Sequence, residues 1–306
     1  MNASPVRRTA GDWASLLTLV VFWGSTFALT KIAVGTIPPV WIVCIRLWIA
    51  LAVVLLALRW RGEALPDGLV IWAWLAPIAA LAVTPFALIT WGTQHIDTGL
   101  GGILIGAVPI FVAALAHFVV PGESMTLSRA AGVLLGFAGV ILLVDPNALY
   151  SLGGDGLAIW AQLAIVAAAF CYAVQGICAR VMPDASAYQK SAGMLIIAAP
   201  VMLPFALIMA PDGLAEASFT SILATIAIGL FPTALAGVVM FRLTARAGPT
   251  FVSLSSYLIP VFAVGLGAIA FGEVLELRAI QALFLILVGI ALSEWRSRNA
   301  GNRNRH

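Results

Sequence analysis

Charged residues are scarce in this chain of 306 residues. Only 9% of them are Asp, Glu, Lys or Arg, while 62% are hydrophobic; a soluble globular domain carries roughly 25% charged residues. This composition cannot supply the polar surface of a soluble protein, and it leaves no segment for a soluble domain. Apolar stretches of about 20 residues, the length that crosses a bilayer as a helix, recur along the whole chain. The sequence therefore predicts an all-α integral membrane protein whose surroundings are the lipid bilayer.

The chain also lacks the patterns that indicate catalysis, metal binding or nucleotide hydrolysis. Its three cysteines, Cys44, Cys171 and Cys178, lie in apolar stretches without metal-ligand spacing. It has no Gly-x-x-x-x-Gly-Lys loop and no His-Glu metal motif. We therefore predict no enzyme activity, no metal and no cofactor, with an intramembrane enzyme or a membrane scaffold as remote alternatives. The net charge of +3 is scattered over loops and both ends, so we expect no nucleic acid partner.

Ten apolar runs are predicted to span the membrane. They lie at 13–34, 39–58, 69–91, 98–119, 127–144, 157–179, 188–209, 219–241, 250–271 and 277–295. If the N-terminal tail, 1–12, is cytoplasmic, all basic residues except Lys31, Arg46 and Arg278 fall on the cytoplasmic side of this topology. The positive-inside rule then favours cytoplasmic placement of both termini, including the basic tail 297–306, in a bacterial inner membrane.

Two parts of the chain repeat each other. The segment "VPIFVAALAHFVVPGESMTL" from 108 and the segment "IPVFAVGLGAIAFGEVLEL" from 259 both read Pro-x-Phe followed by Gly-Glu. The repeat pairs Pro109 with Pro260 and Glu123 with Glu273, which divides the chain into two units of five helices, 13–145 and 156–296. Because five is odd, the second unit enters the membrane from the opposite face. Inverted repeats of this kind are typical of secondary transporters, whose binding site lies between the halves near the midplane.

Several motifs carry a resemblance to a known family. They are "WGSTFALTK" in span one, "IRLWIALAVVLLAL" in span two, and the prolines at 109 and 260, each followed by Gly-Glu at 122 and 272. In this order on ten spans, the chain resembles the drug/metabolite transporter superfamily, in its ten-helix group built from two EamA-type repeats. The resemblance covers about 13–295. It implies transport of small metabolites, often export of amino acids or related compounds, and leaves the substrate open.

Polar and aromatic side chains inside the spans are the candidates for a substrate path, which the resemblance places at a central cavity. They are Trp23, Thr26, Phe27, Lys31, Arg46, Trp91, Tyr172, Gln175 and Tyr257. In span one, Trp23, Phe27 and Lys31 share a face with Thr26 through helical i, i+3 and i+4 spacing. Helix packing is the alternative explanation for this stretch, since Gly24 and Ser25 let a neighbouring backbone approach closely.

The two basic residues inside spans each allow two interpretations. Lys31 is predicted near the outer surface, where it either snorkels to headgroups and water or acts as the cation of an extracellular gate. Arg46 is predicted deeper, where its permanent charge needs acceptors: either a substrate carboxylate or helix-end carbonyls. Pro109 and Pro260 each remove a backbone hydrogen bond, and are candidate hinges for alternating access or ordinary packing bends.

The combined prediction is a secondary transporter that moves a small organic metabolite, an amino acid or related solute, by alternating access and in the direction of efflux. A proton-coupled uptake carrier is the alternative. All acidic residues lie in loops, turns or span ends, and proton-driven carriers usually hold a titratable group inside the membrane. We therefore predict facilitated diffusion or exchange with weak or no proton coupling, by a monomer or weak homodimer.

Overall fold

A computed structural model describes residues 9–119, 125–143, 157–183, 185–247, 249–252 and 254–303 of the chain. Within these ranges every regular element is a helix. The helices are α1 Ala10–Gly24, α2 Thr26–Ala33, α3 Pro39–Trp60, α4 Leu69–Gly92, α5 Thr98–Ile105, α6 Val108–Val119, α7 Leu127–Leu143, α8 Leu157–Val181, α9 Ala187–Met209, α10 Phe219–Ile228, the π-helix Gly229–Leu235, α11 Ala236–Ala247, α12 Pro249–Val252, α13 Ser255–Phe271 and α14 Leu277–Arg303.

These helices make ten apolar crossings, as predicted. Seven segments are long and apolar enough to span a membrane: Ala10–Ala33, Pro39–Trp60, Leu69–Gly92, Thr98–Val119, Leu157–Ala179, Ala187–Met209 and Phe219–Met240. Three shorter apolar helices complete the set in the described ranges: Leu127–Leu143, Ser255–Phe271 and Leu277–Leu292. The first crossing begins three residues before the predicted start, because Thr9 and Asp12 cap it reciprocally: the Asp12 N–H donates to Thr9 Oγ1 at 3.2 Å and the Thr9 N–H to Asp12 Oδ2 at 2.9 Å.

Three of the crossings are interrupted: the first between α1 and α2, the fourth between α5 and α6, and the eighth by the π-helix between α10 and α11. In the first crossing, α1 ends at Gly24 and α2 begins at Thr26. The interruption is slight, since the Ser25 N–H still donates to the Val21 carbonyl at 3.0 Å. The fourth separates into α5 and α6, so that Pro109 is the second residue of a new helix instead of lying inside an unbroken one. Proline costs little in a first turn because the N–H it lacks has no partner there. Pro260 does lie inside its helix.

The packing of α7 against α14 shows the two-fold relation of the repeats. A Cβ added to Gly289 would lie 2.7 Å from the carbonyl oxygen of Gly132, and a Cβ added to Gly139 would lie 3.0 Å from that of Ala282. Position 289 of the second repeat is equivalent to 139 of the first, and 282 is equivalent to 132, since each pair is 150 positions apart. The same close approach is thus made twice in opposite directions, as an inverted repeat requires. Small residues permit this close approach of α7 and α14.

Other helix pairs follow the same symmetry. Helix α3 packs on α9, and α5 on α13, each pair joining equivalent spans of the two repeats. The α4–α8 contact joins span three to span six, and the α1–α11 contact is its counterpart, joining span eight to span one. Over the residues that the structure describes, the chain is therefore an all-α membrane protein with ten apolar crossings arranged as two inverted repeats of five.

The bundle has two ends, which we name after one basic residue each. The Lys31 end contains the connections 34–38, 93–97, 210–218 and 272–276. There the Ser218 N–H donates to Thr36 Oγ1 at 2.9 Å, and Trp41 Nε1 donates to the Ala210 carbonyl at 2.7 Å. The Arg61 end contains the connections 61–68 and 182–186, together with the start of α1 and the end of α11. Each end is thus held by polar contacts between the repeats.

Candidate functional site

A cavity of about 410 Å³ lies between the two repeats. Its walls come from α1 to α6 in the first repeat, and from α8, α9, the π-helix, α11 and α13 in the second. Ligand pockets for small molecules occupy about 300–1,000 Å³ and are mostly apolar with a few placed polar groups. The lining fits that description: aliphatic, aromatic and proline residues are interrupted by hydroxyl and amide side chains and by Arg46.

Eight of the residues singled out from the sequence line this cavity: Trp23, Thr26, Phe27, Arg46, Tyr172, Gln175, Pro109 and Pro260. Trp23 lies just before the transition from α1 to α2, and Thr26 lies just after it. The break in the fourth crossing lies against the second proline, since a Cβ added to Gly106 would be 2.8 Å from Pro260 Cγ. The two candidate hinge prolines therefore both border the cavity.

Three other candidates lie elsewhere. Trp91 packs against the core between α4 and α8, with its ring centroid 5.1 Å from that of His95. Tyr257 packs against the same hydrophobic cluster. Neither residue is in the lining of the central cavity. Lys31 belongs to the Lys31 end, beyond the cavity.

Arg46 is buried, with 3% of its surface exposed. Its Nη2 and Nε donate to Thr233 Oγ1 at 3.0 Å and 3.3 Å, and that hydroxyl in turn donates to the Ile228 carbonyl at 2.7 Å. The guanidinium carbon stands 3.7 Å from the ring centroid of Phe86, a cation–π contact. The acceptor shown is thus a hydroxyl rather than the helix-end carbonyls of the structural alternative. No carboxylate forms a salt bridge with Arg46 among the described residues.

The π-helix explains how Thr233 reaches Arg46. Pro232 has no N–H, and the backbone widens over Gly229–Leu235 into i→i+5 geometry, which often marks functional sites. The Thr233 hydroxyl follows this wider turn when it donates to a carbonyl five residues earlier. Sequence reasoning missed Thr233 and Phe86. The available signal was a threonine directly after a proline inside an apolar run.

The wall facing Arg46 is aromatic and amide-bearing. The rings of Tyr172 and Phe86 pack edge to face with centroids 6.2 Å apart. The amide Nε2 of Gln175 lies 3.4 Å from Met194 Sδ, a weak acceptor. Tyr188, close to the start of α9, carries the lining toward the Arg61 end. The site therefore offers ring surfaces and neutral hydrogen-bonding groups around a single buried cation.

Toward the Lys31 end the cavity is bounded by Phe27. This side chain is 3% exposed, and a Cβ added to Gly101 would lie 2.7 Å from its Cδ1. A larger residue at 101 would therefore displace the ring. The contact joins α2 to α5 directly above the cavity.

A cluster that we call the latch, formed by Lys31, Thr98, Gly99 and Glu273, lies beyond Phe27. Lys31 Nζ is 2.7 Å from Glu273 Oε1, and the N–H groups of Thr98 and Gly99 donate to the same carboxylate at 2.9 Å and 3.0 Å. The carboxylate of the second repeat thus caps the positive N-terminus of α5 in the first repeat. Snorkelling to headgroups does not account for this contact. The sequence motif Gly-Glu served to align the repeats and to carry the family resemblance, so Glu273 as the partner of Lys31 was missed.

Glycines make room for Glu273. Gly272 ends α13 with φ +66°, a left-handed conformation that favours glycine, and a Cβ at Gly267 would collide with the Glu273 carboxylate. Burial alone would raise the pKa of this carboxyl, but hydrogen bonds from Lys31, Gly99 and Thr98 outweigh burial and hold the pKa below its usual value. Glu273 is therefore a carboxylate in this arrangement.

A second cavity of about 660 Å³ lies on the far side of the latch. It is lined by Lys31, Thr93, Gln94, His95, Asp97 and Gln162 among others. Asp97 is a weaker partner of Lys31, at 3.4 Å, and its side chain is 63% exposed. Lys31 of the latch therefore borders this polar vestibule, while Phe27, one helical turn earlier, borders the mostly apolar central cavity.

Comparisons with known proteins agree with this architecture. The sequence pattern of the EamA-like transporter family matches residues 13–145 and 159–295. The chain is 26% identical over 295 residues to the uncharacterized inner membrane transporter YedA of Escherichia coli (strain K12), with 92% of this chain and 89% of that protein covered. It is 27% identical over 292 residues to a probable terminal-alkyne amino-acid exporter of Streptantibioticus cattleyicolor, covering 92% of each. A crystal structure with 20% identity superposes with a TM-score of 0.66 over 96% of this chain and 99% of that one.

Proposed function

The chain belongs to the EamA-like transporter family, and from this premise we propose that it exports a small organic metabolite through the central cavity by alternating access. It is a multi-pass membrane transporter and not an enzyme. The observation that carries the proposal is the position of the cavity, between two inverted repeats and lined by both. Secondary transporters bind their substrates at this place.

Orientation follows from the basic residues. We propose that both termini face the cytoplasm of a bacterial cell, since Arg59, Arg61, Lys190 and Arg246 then lie on the cytoplasmic side with most other basic residues. The Lys31 end is then periplasmic. A reporter active only in the periplasm should give no signal when it is fused to the C-terminus and a strong signal when it is inserted after Asp212. The reverse pattern would reject this orientation.

The arrangement corresponds to a state closed at the Lys31 end. Phe27 and the latch lie between the cavity and the vestibule, while the lining continues to Tyr188 near the Arg61 end. Release of a solute at the Lys31 end then requires Lys31 and Glu273 to separate. Both groups lie at the boundary between the repeats, so a rocking motion of one repeat against the other would pull them apart.

The solute class is an amino acid or a related compound, and the direction is efflux. This assignment draws on the related protein named as a probable amino-acid exporter. Coupling to protons is weak or absent, because no carboxylate or histidine is found among the described residues that line the cavity. The solute then moves either by facilitated diffusion down its gradient or by exchange for a second solute.

The test is reconstitution of the purified protein into liposomes and a counterflow screen over amino acids, other organic acids, nucleosides and sugar phosphates. We expect accumulation of a labelled solute against an unlabelled internal pool. No accumulation of any solute would contradict the proposal. A second arm imposes a pH gradient without a membrane potential; strong uphill accumulation that an uncoupler abolishes would identify a proton-coupled carrier instead.

A further inference from the structure

The guanidinium of Arg46 has more donors than the protein satisfies. Arginine carries five N–H donors and no acceptor. Two of them, on Nε and Nη2, are directed at Thr233 Oγ1. The other three find no hydrogen-bond acceptor in the described parts of the chain, although the side chain is 3% exposed and borders the cavity. One edge of the guanidinium is therefore fixed, and another is available from the cavity.

The charge of Arg46 is also uncompensated. It is the only charged side chain among the described residues that line the cavity. The ring face of Phe86 supplies a cation–π contact at 3.7 Å, which offsets only part of the cost of holding a permanent charge away from water. Arginine does not lose its proton at accessible pH, so it cannot escape that cost by becoming neutral. An anion that enters the cavity would supply the missing charge and acceptors together.

We propose that Arg46 is the substrate anchor and that the preferred substrates are small organic monoanions, carboxylates with an apolar or aromatic body. This inference rests on the proposed transport function and narrows its solute class: among amino acids and related compounds, the acids that lack an ammonium group are preferred. Thr233 and Phe86 hold the guanidinium in one orientation, so that its free N–H groups can meet two carboxylate oxygens at once. The body of the substrate lies against the rings of Trp23, Phe27 and Tyr172.

The cavity offers a positively charged group fewer partners than it offers a carboxylate. An ammonium group would find no carboxylate among the described lining residues, only hydroxyl and amide oxygens and ring faces. An amine without a carboxylate would in addition be repelled by Arg46. We therefore expect the order monocarboxylate, then zwitterionic amino acid, then amine for compounds with the same body.

Three probes that share a phenyl ring test this order: 3-phenylpropionate, phenylalanine and phenethylamine. Each is titrated into the purified, full-length protein by calorimetry and used as a competitor in the counterflow assay with the solute that the screen identifies. We expect 3-phenylpropionate to bind about tenfold or more tightly than phenethylamine, the scale of one charge-assisted interaction. Equal binding of the acid and the amine, or tighter binding of the amine, would overturn the proposal.

Variants of Arg46 test whether this side chain causes the preference for the carboxylate. Arg46→Gln should remove the preference for the carboxylate, and Arg46→Lys should keep part of it, because a lysine charge cannot make the bidentate contact. Arg59→Gln is the matched control, since it removes a positive charge from an exposed position of the same helix. If Arg46→Gln does not fold, the lysine variant and the probe series on the unaltered protein still test whether Arg46 sets the preference for the carboxylate. An unchanged preference in folded Arg46→Lys and Arg46→Gln would contradict the anchor.

The two proposals fail in different ways. If no solute is accumulated in the liposome screen, the transport proposal is wrong. If a solute is transported but the carboxylate probe competes no better than the amine, transport stands and the assignment of Arg46 as an anion anchor is wrong.

Discussion

The two ends of the bundle are held by different kinds of contact. At the Lys31 end, a carboxylate from the second repeat meets a lysine and a helix N-terminus of the first repeat, directly beyond the cavity. At the Arg61 end, the described contacts are divided between two carboxylates: Arg61 Nε is 2.6 Å from Glu63 Oε1 and Ser186 donates to the other Glu63 oxygen, while Arg246 Nη2 at the end of α11 is 3.2 Å from Asp12 Oδ1 at the start of α1. The Lys31 and Glu273 side chains are 30% and 6% exposed, and those of Arg61 and Glu63 are 49% and 23% exposed. The latch concentrates its contacts on one carboxylate, whereas the Arg61 end divides them between two, so we expect the loss of Glu273 to impair transport more than the loss of Arg61.

Breaking the latch should have the largest effect. Glu273→Gln removes the charge that joins Lys31 to the N-terminus of α5, and we expect transport to fall about tenfold or more because Asp97, at 3.4 Å and 63% exposed, cannot replace a contact between the repeats. The Lys31 end should also open. In a background without Cys44, Cys171 and Cys178, Thr26→Cys should resist an impermeant thiol reagent added at the Lys31 end and become reactive when Glu273→Gln is added.

The charge-exchanged pair is the control for the latch. Lys31→Glu combined with Glu273→Lys should recover protection of the cysteine relative to either single change, although Thr98 and Gly99 then lose their anionic partner. Equal reactivity at position 26 with and without the Glu273 charge would show that the latch does not close this end.

The close contact between α7 and α14 should stabilise the folded protein independently of the two ends. Gly289→Ala places a methyl group 2.7 Å from the Gly132 carbonyl, and overpacking of this kind typically costs about 1–3 kcal/mol. Gly176→Ala is the matched control, because nothing lies within 4 Å of its added Cβ. Thermal unfolding in detergent should show a lower midpoint for the first variant only. A lower midpoint for both would mean that general helix disturbance, not the close crossing, is responsible.

Weakening the Arg61 end should matter less. Arg61→Gln removes an exposed ion pair, and such pairs contribute about 0–1 kcal/mol. Transport by this variant is expected to stay within about twofold of the unaltered protein. Initial counterflow rates, normalised to the amount of folded protein, provide the comparison with Glu273→Gln. A loss as large as that of the latch variant would remove the distinction between the two ends.

The smallest effect concerns pH. Because the pKa of Glu273 is lowered, its stabilisation of the latch is complete above the usual glutamate value of about 4.3 and is lost as pH falls through the lowered pKa. Spin labels at Gln94→Cys and Val274→Cys, both exposed, should keep one distance between about pH 8 and pH 5. A change of distance within that range would show that another group controls the Lys31 end.

Sequence reasoning reached the architecture because composition, loop charge and the repeated Pro-x-Phe and Gly-Glu motifs act over whole spans. It was less successful for single side chains. Trp23 and Gln175 line the cavity, but Trp91 serves packing between α4 and α8, since an aromatic ring in a span suits either purpose. The link from Arg46 to Thr233 crosses 187 positions of the chain and depends on the π-helix, for which the sequence offers one local signal, Pro232 inside an apolar run.

The central claim is that solute passes through the cavity between the repeats, and two tryptophan variants test it most directly. Trp23 lines the cavity, while Trp91 has the same side chain in a span but lies outside the lining. Counterflow rates in proteoliposomes should fall by about tenfold in Trp23→Ala, through the loss of a buried aromatic contact, and change by less than about twofold in Trp91→Ala at equal amounts of folded protein. Unimpaired transport by Trp23→Ala, or a loss confined to Trp91→Ala, would contradict the account.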